Sequence, residues 1–186
     1  MTEQTTERLI LRYFRMHDVE PIHRLVYNDP EVYRWWGGER RGWDEVEERV
    51  VMWMHTAQAG EFGNLAVVHK ADDQVMGFIA LQSYVASWIR FAEAPAAPYN
   101  SLEVELSYVL GREYWGRGYA CEACRPLIAY AFQELRLRRL VNWIRPENQR
   151  SIALARRLDF REEPNHHPDD STPVWVLDNL MPCCGE

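Results

Sequence analysis

The chain has 186 residues, 47% of them hydrophobic, so we expect one domain over residues 1–186 with a core of its own. Its 28 acidic and 21 basic residues give a net charge of −7, which argues against a nucleic-acid backbone as partner and tolerates cationic substrates. No apolar run reaches the roughly 20 residues of a membrane helix, and Met1 to Gln4 lack a signal-peptide pattern, so we expect a cytoplasmic protein and no membrane partner.

The first third of the chain contains a strand and two helices. Apolar and polar residues alternate over residues 9–13, which predicts a strand, and residues 18–27 have the pattern of a short helix. From Trp43 onward apolar residues recur at helical spacing, and Gly60 ends the periodic segment. We therefore predict a long amphipathic helix before residue 60.

A hairpin and a long connection follow. Residues 64–69 and 75–84 predict two strands, and the short polar segment between them is typical of a tight turn. Residues 85–101 contain Pro95 and Pro98 and show no periodicity, so we predict a long loop there. A loop of this length in a compact domain is more often functional or mobile than ordinary.

The second half contains a strand, a glycine turn, a helix and another strand. Residues 102–110 predict the first strand, residues 120–135 an amphipathic helix, and residues 140–144 the second strand. A strand, helix and strand in this order predict a parallel pair within a mixed α/β sheet. A helix at residues 151–158 and a last strand at residues 174–177 complete the predicted elements.

Four cysteines allow two interpretations. Cys121 and Cys124 have metal-ligand spacing, and Cys183, Cys184 and the pair His166–His167 could complete a zinc set. Reduced thiols are the favoured alternative, because the first pair lies inside a predicted helix and the second in an unpatterned tail. We therefore expect no metal.

Gly116 and Gly118 stand at the turn between the strand and the helix. Glycines there leave backbone N–H groups uncovered and directed at a point before the helix, where a phosphate binds well. The following residues lack the Lys-Ser or Lys-Thr pair of a P-loop and the third glycine of a dinucleotide fold. The pattern therefore indicates a phosphate-bearing ligand of another class.

The glycine turn and its flanks resemble those of the GNAT superfamily of acyl-CoA N-acyltransferases. The likeness rests on Trp-Gly-Arg-Gly-Tyr-Ala at 115–120, Glu-Ala at 122–123, Asn148 and Ser151, and it extends from Glu7 to Trp175. It is strongest to the branch that acetylates amino termini of ribosomal proteins. The resemblance implies a single domain with a central mixed, twisted sheet of about six to seven strands, flanking helices and splayed parallel strands that hold the coenzyme.

The resemblance also implies acetyl-CoA as co-substrate, with no metal, and a set of residues that bind it. Backbone groups of one strand end would pair with the pantetheine arm, which as an amide chain can extend a strand edge. Asn148 would fix the same arm. Two residues depart from the family pattern, since Glu113 replaces Gln or Arg and Asp159 replaces a glycine. The residues expected at the pyrophosphate are Trp115, Gly116, Arg117, Gly118, Tyr119 and Ala120, and those at the pantetheine are Tyr108, Val109 and Leu110.

Two residues are candidates for proton transfer. An amine must be neutral to attack, and Glu105 matches the family's acceptor-facing glutamate two residues before Ser107. Strand alternation puts Glu103 on the same face, so it stays an alternative base. The resemblance implies that Ser151 returns a proton to the departing thiolate. For Ser151 and Asn148 an ordinary helix-capping role is equally open.

We therefore expect acetyl transfer from acetyl-CoA to a primary amine by direct attack in a ternary complex. The acceptor could be a protein amino terminus, a free amino acid, a polyamine or an aminoglycoside-like molecule, and the chain could act as a homodimer. The alternative is a non-catalytic acyl-CoA binding module, which would keep the glycine turn and lose productive geometry at Glu105 and Ser151.

Overall fold

A computed structural model of the chain describes residues 1–36, 39–91 and 100–180. The strands in these residues are β1 (Gln4–Thr5), β2 (Leu9–Arg12), β3 (Gly63–His69), β4 (Gln74–Ala86), β5 (Ser101–Leu110), β6 (Arg139–Trp143), β7 (Arg161–Glu163) and β8 (Val174–Asp178). These eight strands form one mixed sheet, in the order β1-β2-β3-β4-β5-β6-β8-β7, and the α/β class is confirmed. The α-helices are α1 (Val19–Ile22), α2 (Pro30–Tyr33), α3 (Trp43–Ala59), α4 (Tyr119–Ala129) and α5 (Gln149–Arg157).

The chain divides into two compact units. The first unit comprises Met1–Gln82 and Leu106–Pro126, and the second comprises Ser83–Glu105 and Leu127–Glu186. Strands β4 and β5 contribute residues to both. The expectation of one domain over residues 1–186 stays a prediction.

The first unit is built on the antiparallel strands β1 to β3 and the amphipathic helix α3. β3 pairs with β2 and with β4, as the predicted hairpin requires. The Glu45 side chain accepts a hydrogen bond from the Gly42 N–H at 2.9 Å, which caps the start of α3, and the helix ends before Gly60. Large side chains of the core, each of which stabilises the fold by about 2 kcal/mol on burial, are Phe14, Ile22, Tyr27, Trp53 and Phe78.

The second unit contains the parallel pair predicted from the strand-helix-strand order. β6 runs parallel to β5, with Glu105 opposite Val141, and β8 pairs antiparallel with both β6 and β7. The buried side chains of this unit's core cluster are Ala86, Ile89, Phe91, Val141, Val174 and Val176.

The sheet has eight strands where the sequence predicted about six to seven. β1 and β7 are only two and three residues long, too short to show an alternation, and their partners β2 and β8 supply the pairing. The predicted loop at 85–101 begins two residues later, because β4 runs to Ala86, and Ser101 already belongs to β5. Pro95 and Pro98 lie outside the described residues.

Candidate active site

In the first unit, a glycine turn joins β5 to α4. Gly116 and Gly118 have φ values of 73° and 82°, in the left-handed region that other residues adopt only with strain. A Cβ built on Gly116 would meet no described heavy atom within 4 Å, so the turn is open on that side. An open backbone before a helix N-terminus is the arrangement that accepts a phosphate, and the turn fits the pyrophosphate that the sequence predicted there.

Three side chains hold this turn in place. The indole Nε1 of Trp115 donates a hydrogen bond to the Leu110 carbonyl at 2.7 Å, which ties the turn to the end of β5. The buried Tyr119 places its hydroxyl 3.3 Å from Nε2 of His69. Arg8 donates through Nη1 to the Arg117 carbonyl at 3.1 Å, a contact that sequence analysis missed. Trp115, Tyr119 and Arg8 thus give the turn a defined backbone.

The strand before the turn carries the residues predicted for the pantetheine arm. Val109 and Leu110 are buried and Tyr108 is half-buried. A Cβ on Gly77 would lie 2.0 Å from the Val109 carbonyl oxygen, so a glycine at 77 is what lets β4 approach β5 there. The backbone of this strand end is therefore closely fixed, and its contact with pantetheine stays a prediction.

In the second unit, the two glutamates proposed as alternative bases have different surroundings. Glu103 is only 4% exposed, and its carboxylate accepts hydrogen bonds from Arg139 Nε at 3.0 Å and Nη2 at 2.6 Å. The Arg139 guanidinium also lies 3.8 Å from the ring centroid of Phe91. Glu105 is half-buried. Glu103 thus belongs to a buried ion pair, and the choice of Glu105 over Glu103 as the base stays a prediction.

Tyr84 in β4 was not singled out from the sequence, where it was only the last residue of a predicted strand. Its ring stacks on Trp88 with centroids 5.0 Å apart and planes 3° apart. Its hydroxyl is buried and has no hydrogen-bond partner among the described residues. Burial raises the pKa of Tyr84, and the negative charges of Glu105 and Glu103 raise it further. The phenol therefore stays neutral beside these carboxylates.

Asn148 and Ser151 lie at the start of α5. Asn148 is the N-cap residue, and its side-chain oxygen accepts a hydrogen bond from the Ser151 N–H at 3.2 Å. The capping alternative is therefore confirmed for Asn148, while its role toward the coenzyme stays a prediction. Ser151 is half-buried. At the other end of α5, Asp159, which stands where the family has a glycine, adopts a left-handed conformation with a φ of 65°.

Cys121 and Cys124 are free, buried thiols in α4. Burial raises the pKa of Cys124, and the neighbouring Cys121 adds to the shift. Within the described ranges no three metal-ligating side chains come together, and no helix there is long and apolar enough to span a membrane. Cys183 and Cys184, the other half of the hypothetical zinc set, lie outside the described residues.

The comparisons with known proteins give the family and agree with the fold. The chain belongs to the GNAT acetyltransferase family, whose domain model matches residues 8–161. It is therefore an acetyltransferase of a family that uses acetyl-CoA as acetyl donor. It is similar to the uncharacterized N-acetyltransferase p20 of Bacillus licheniformis, with 28% identity over 159 residues that cover 85% of this chain and 82% of that protein.

Solved structures show the same fold. An acetyltransferase from Agrobacterium tumefaciens superimposes with a TM-score of 0.75 at 24% identity, covering 95% of this chain and 94% of that one. The ribosomal L7/L12 alpha-N-protein acetyltransferase RimL, in complex with coenzyme A, gives 0.70 at 18% identity and covers 94% and 96% of the two chains. The described strands and helices therefore form a GNAT fold.

Proposed function

We propose that this protein transfers an acetyl group from acetyl-CoA to a primary amine. The observation that carries the proposal is the open turn at Gly116 and Gly118 before α4, in a chain of an acetyl-CoA-dependent family. Backbone N–H groups of Trp115 to Ala120 would hold the pyrophosphate, with Arg117 exposed beside them. The backbone of Tyr108 to Leu110 would pair with the pantetheine arm, which Asn148 would help to fix.

Glu105 would act as the general base. An amine with an ordinary pKa is mostly protonated at neutral pH, so it must lose a proton before its lone pair can attack the thioester carbonyl. In the proposed step that proton passes to the Glu105 carboxylate, and the amine nitrogen bonds to the acetyl carbon. A strand N–H near Val109 would stabilise the oxyanion that forms. Glu105 is favoured over Glu103 because it matches the family's acceptor-facing glutamate two residues before Ser107.

Ser151 would complete the transfer. As the tetrahedral intermediate collapses, the carbon–sulfur bond breaks and coenzyme A leaves as a thiolate. The Ser151 hydroxyl would give that sulfur a proton, and the nitrogen of the intermediate would return one to the serine through water as the neutral amide forms. Ser151 lies in the first turn of α5, where the helix N-terminus favours negative charge and so helps a thiolate to leave.

The acceptor is a positively charged molecule in its free state, which suits a protein with a net charge of −7. The resemblance to the ribosomal-protein branch and the likeness to RimL favour a protein amino terminus, and a small-molecule amine is the alternative.

We also propose a cytoplasmic location, which the free thiols of Cys121 and Cys124 support. Homodimerisation stays a prediction that sedimentation analysis would test.

The proposal is tested by measuring coenzyme A release from acetyl-CoA with a panel of amino-terminal peptides, polyamines and aminoglycosides. Amine-dependent release and a mass increase of one acetyl group on the acceptor are expected. Gly116→Ala should weaken acetyl-CoA binding, while Gly60→Ala is the matched control, because its Cβ makes only ordinary contacts and φ is not positive. Acetyl-CoA binding without transfer to any amine would instead support the non-catalytic binding module.

A further inference from the structure

A carboxylate lies close to the place proposed for the pyrophosphate. Glu122 is in the first turn of α4, and its N–H donates to the Gly118 carbonyl at 3.0 Å. An unpaired negative charge here would oppose the binding of a pyrophosphate, since both charges would lie at the same helix end. The turn therefore works as an anion site only if the charge of Glu122 is balanced.

Arg8 supplies that balance. Its Nε donates to Glu122 Oε2 at 2.7 Å, its Nη2 lies 2.6 Å from the same oxygen, and its backbone N–H donates to Oε1 at 2.8 Å. The Thr6 hydroxyl also donates to Oε1, at 2.6 Å. Burial alone would raise the pKa of Glu122, but these hydrogen bonds outweigh it and lower the pKa. Both oxygens of the Glu122 carboxylate thus accept hydrogen bonds.

The same guanidinium determines the direction of one peptide in the turn. Arg8 Nη1 donates to the Arg117 carbonyl at 3.1 Å, and every described peptide bond is trans. In a trans peptide the C=O and the N–H point in opposite directions, so the Gly118 N–H is directed away from Arg8. Without this contact the peptide between Arg117 and Gly118 could rotate more easily, because glycine permits both senses of φ.

A third contact limits how far Arg8 can move. Its guanidinium carbon lies 4.4 Å from the ring centroid of the buried Tyr119, whose hydroxyl is beside His69. A Cβ on Gly118 would lie 3.5 Å from Arg8 Nη2, an ordinary van der Waals distance. The guanidinium is therefore packed against the back of the turn, although 41% of the side chain is exposed.

We propose that Arg8 is a positioning residue for coenzyme binding. Arg8 balances the charge of Glu122, and it orients the peptide between Arg117 and Gly118 so that the Gly118 N–H is directed toward the pyrophosphate. This inference rests on the proposed function, because it assigns Arg8 a role in the same acetyl-CoA site.

The test compares Arg8→Lys and Arg8→Ala with the wild type. Coenzyme A affinity is measured by titration calorimetry, and KM for acetyl-CoA and kcat are measured with the best amine. Lysine keeps a charge but cannot bond Glu122 twice and Arg117 at once. We expect affinity to fall about 10-fold in Arg8→Lys and more in Arg8→Ala, with kcat at saturating acetyl-CoA nearly unchanged.

Two controls separate positioning from general destabilisation. Thr6→Val removes one hydrogen bond to Glu122 but leaves Arg8 on the Arg117 carbonyl, so it should lower Tm without changing coenzyme A affinity. Arg24→Ala removes an exposed arginine that pairs with Glu20, and it should change neither Tm nor coenzyme A affinity.

Unchanged coenzyme A affinity in folded Arg8→Lys would overturn the inference. Arg8→Lys and Thr6→Val variants that lose equal coenzyme A affinity at an equal loss of Tm would overturn it as well. If Arg8→Ala does not fold, the coenzyme A affinity of Arg8→Lys alone tests the inference. If the wild-type protein binds no coenzyme A, the proposed function itself is contradicted. If the wild type and Arg8→Lys both bind coenzyme A equally well, only the inference about Arg8 is contradicted.

Discussion

Glu103 and Arg139 form a buried ion pair in which two guanidinium nitrogens, at 3.0 and 2.6 Å, bond both oxygens of the carboxylate. Their side chains are 4% and 13% exposed. Two parallel charge-assisted hydrogen bonds of this kind are strong, and removing one partner leaves an uncompensated buried charge. This pair gives Glu103 a structural role on the strand face that it shares with Glu105, two residues further along β5.

Glu103→Gln should therefore destabilise the protein. We expect a loss of about 3 kcal/mol in the free energy of unfolding for Glu103→Gln, measured by urea denaturation. For Glu105→Gln we expect turnover to fall about 100-fold with unchanged KM for acetyl-CoA. A stable Glu103→Gln protein with lost turnover, beside a fully active Glu105→Gln protein, would show that Glu103 is the base.

Tyr84→Phe should leave the protein as stable as the wild type or make it up to about 1 kcal/mol more stable. The reason is that the buried Tyr84 hydroxyl has no hydrogen-bond partner among the described residues, while the ring and its stack on Trp88 are kept. Thermal unfolding measures the effect, with Tyr13→Phe as control, because the Tyr13 hydroxyl donates to the Met1 carbonyl. A clear loss of stability in Tyr84→Phe alone would mean that its hydroxyl has a partner.

Asn148→Asp should preserve α5 and impair catalysis. Aspartate caps a helix as well as asparagine does, so the hydrogen bond from the Ser151 N–H is kept. The new negative charge would oppose the developing oxyanion, and activity should fall about 10-fold or more at nearly constant Tm. Melting curves and initial rates on the same samples test this. A loss of activity that merely follows a loss of Tm would assign Asn148 a capping role alone.

Glu122 should contribute to stability in a pH-dependent way. Its pKa in the folded chain is lower than the usual 4.5, because hydrogen bonds from Thr6 and Arg8 outweigh the effect of burial. As pH falls, Glu122 is therefore protonated in the unfolded chain before it is protonated in the folded chain. Its contribution to stability is complete above about pH 5 and is lost below the usual pKa. In Glu122→Gln, Tm should fall less steeply than in the wild type between pH 5 and pH 3. Equal slopes would contradict the pairing.

The periodic parts of the fold could be predicted from the sequence. Helix α3 shows a regular apolar face with Gly60 at its end, and the order of β5, α4 and β6 implies the parallel pair. The short strands β1 and β7 could not be predicted, because two or three residues carry no alternation. Their pairing depends on neighbours distant in sequence.

The candidate site could be predicted in its glycine turn but not in its supporting contacts. A turn with uncovered backbone N–H groups is predicted from Gly116 and Gly118, and Asn148 has the character of a cap. Arg8 and Glu122 are far apart in sequence, and nothing in either segment alone indicates that they meet. Strand alternation likewise puts Glu103 and Glu105 on one face, and nothing in the strand sequence indicates that Arg139 pairs with Glu103.

The central claim is that coenzyme A binds at the turn from Trp115 to Ala120, and amide hydrogen exchange with and without coenzyme A tests it most directly. We expect exchange to slow in residues 115–120 and in residues 108–110, since N–H groups that bond phosphate or pantetheine exchange less readily. Unchanged exchange in residues 115–120, together with slower exchange elsewhere in the chain, would show that the coenzyme binds at another place.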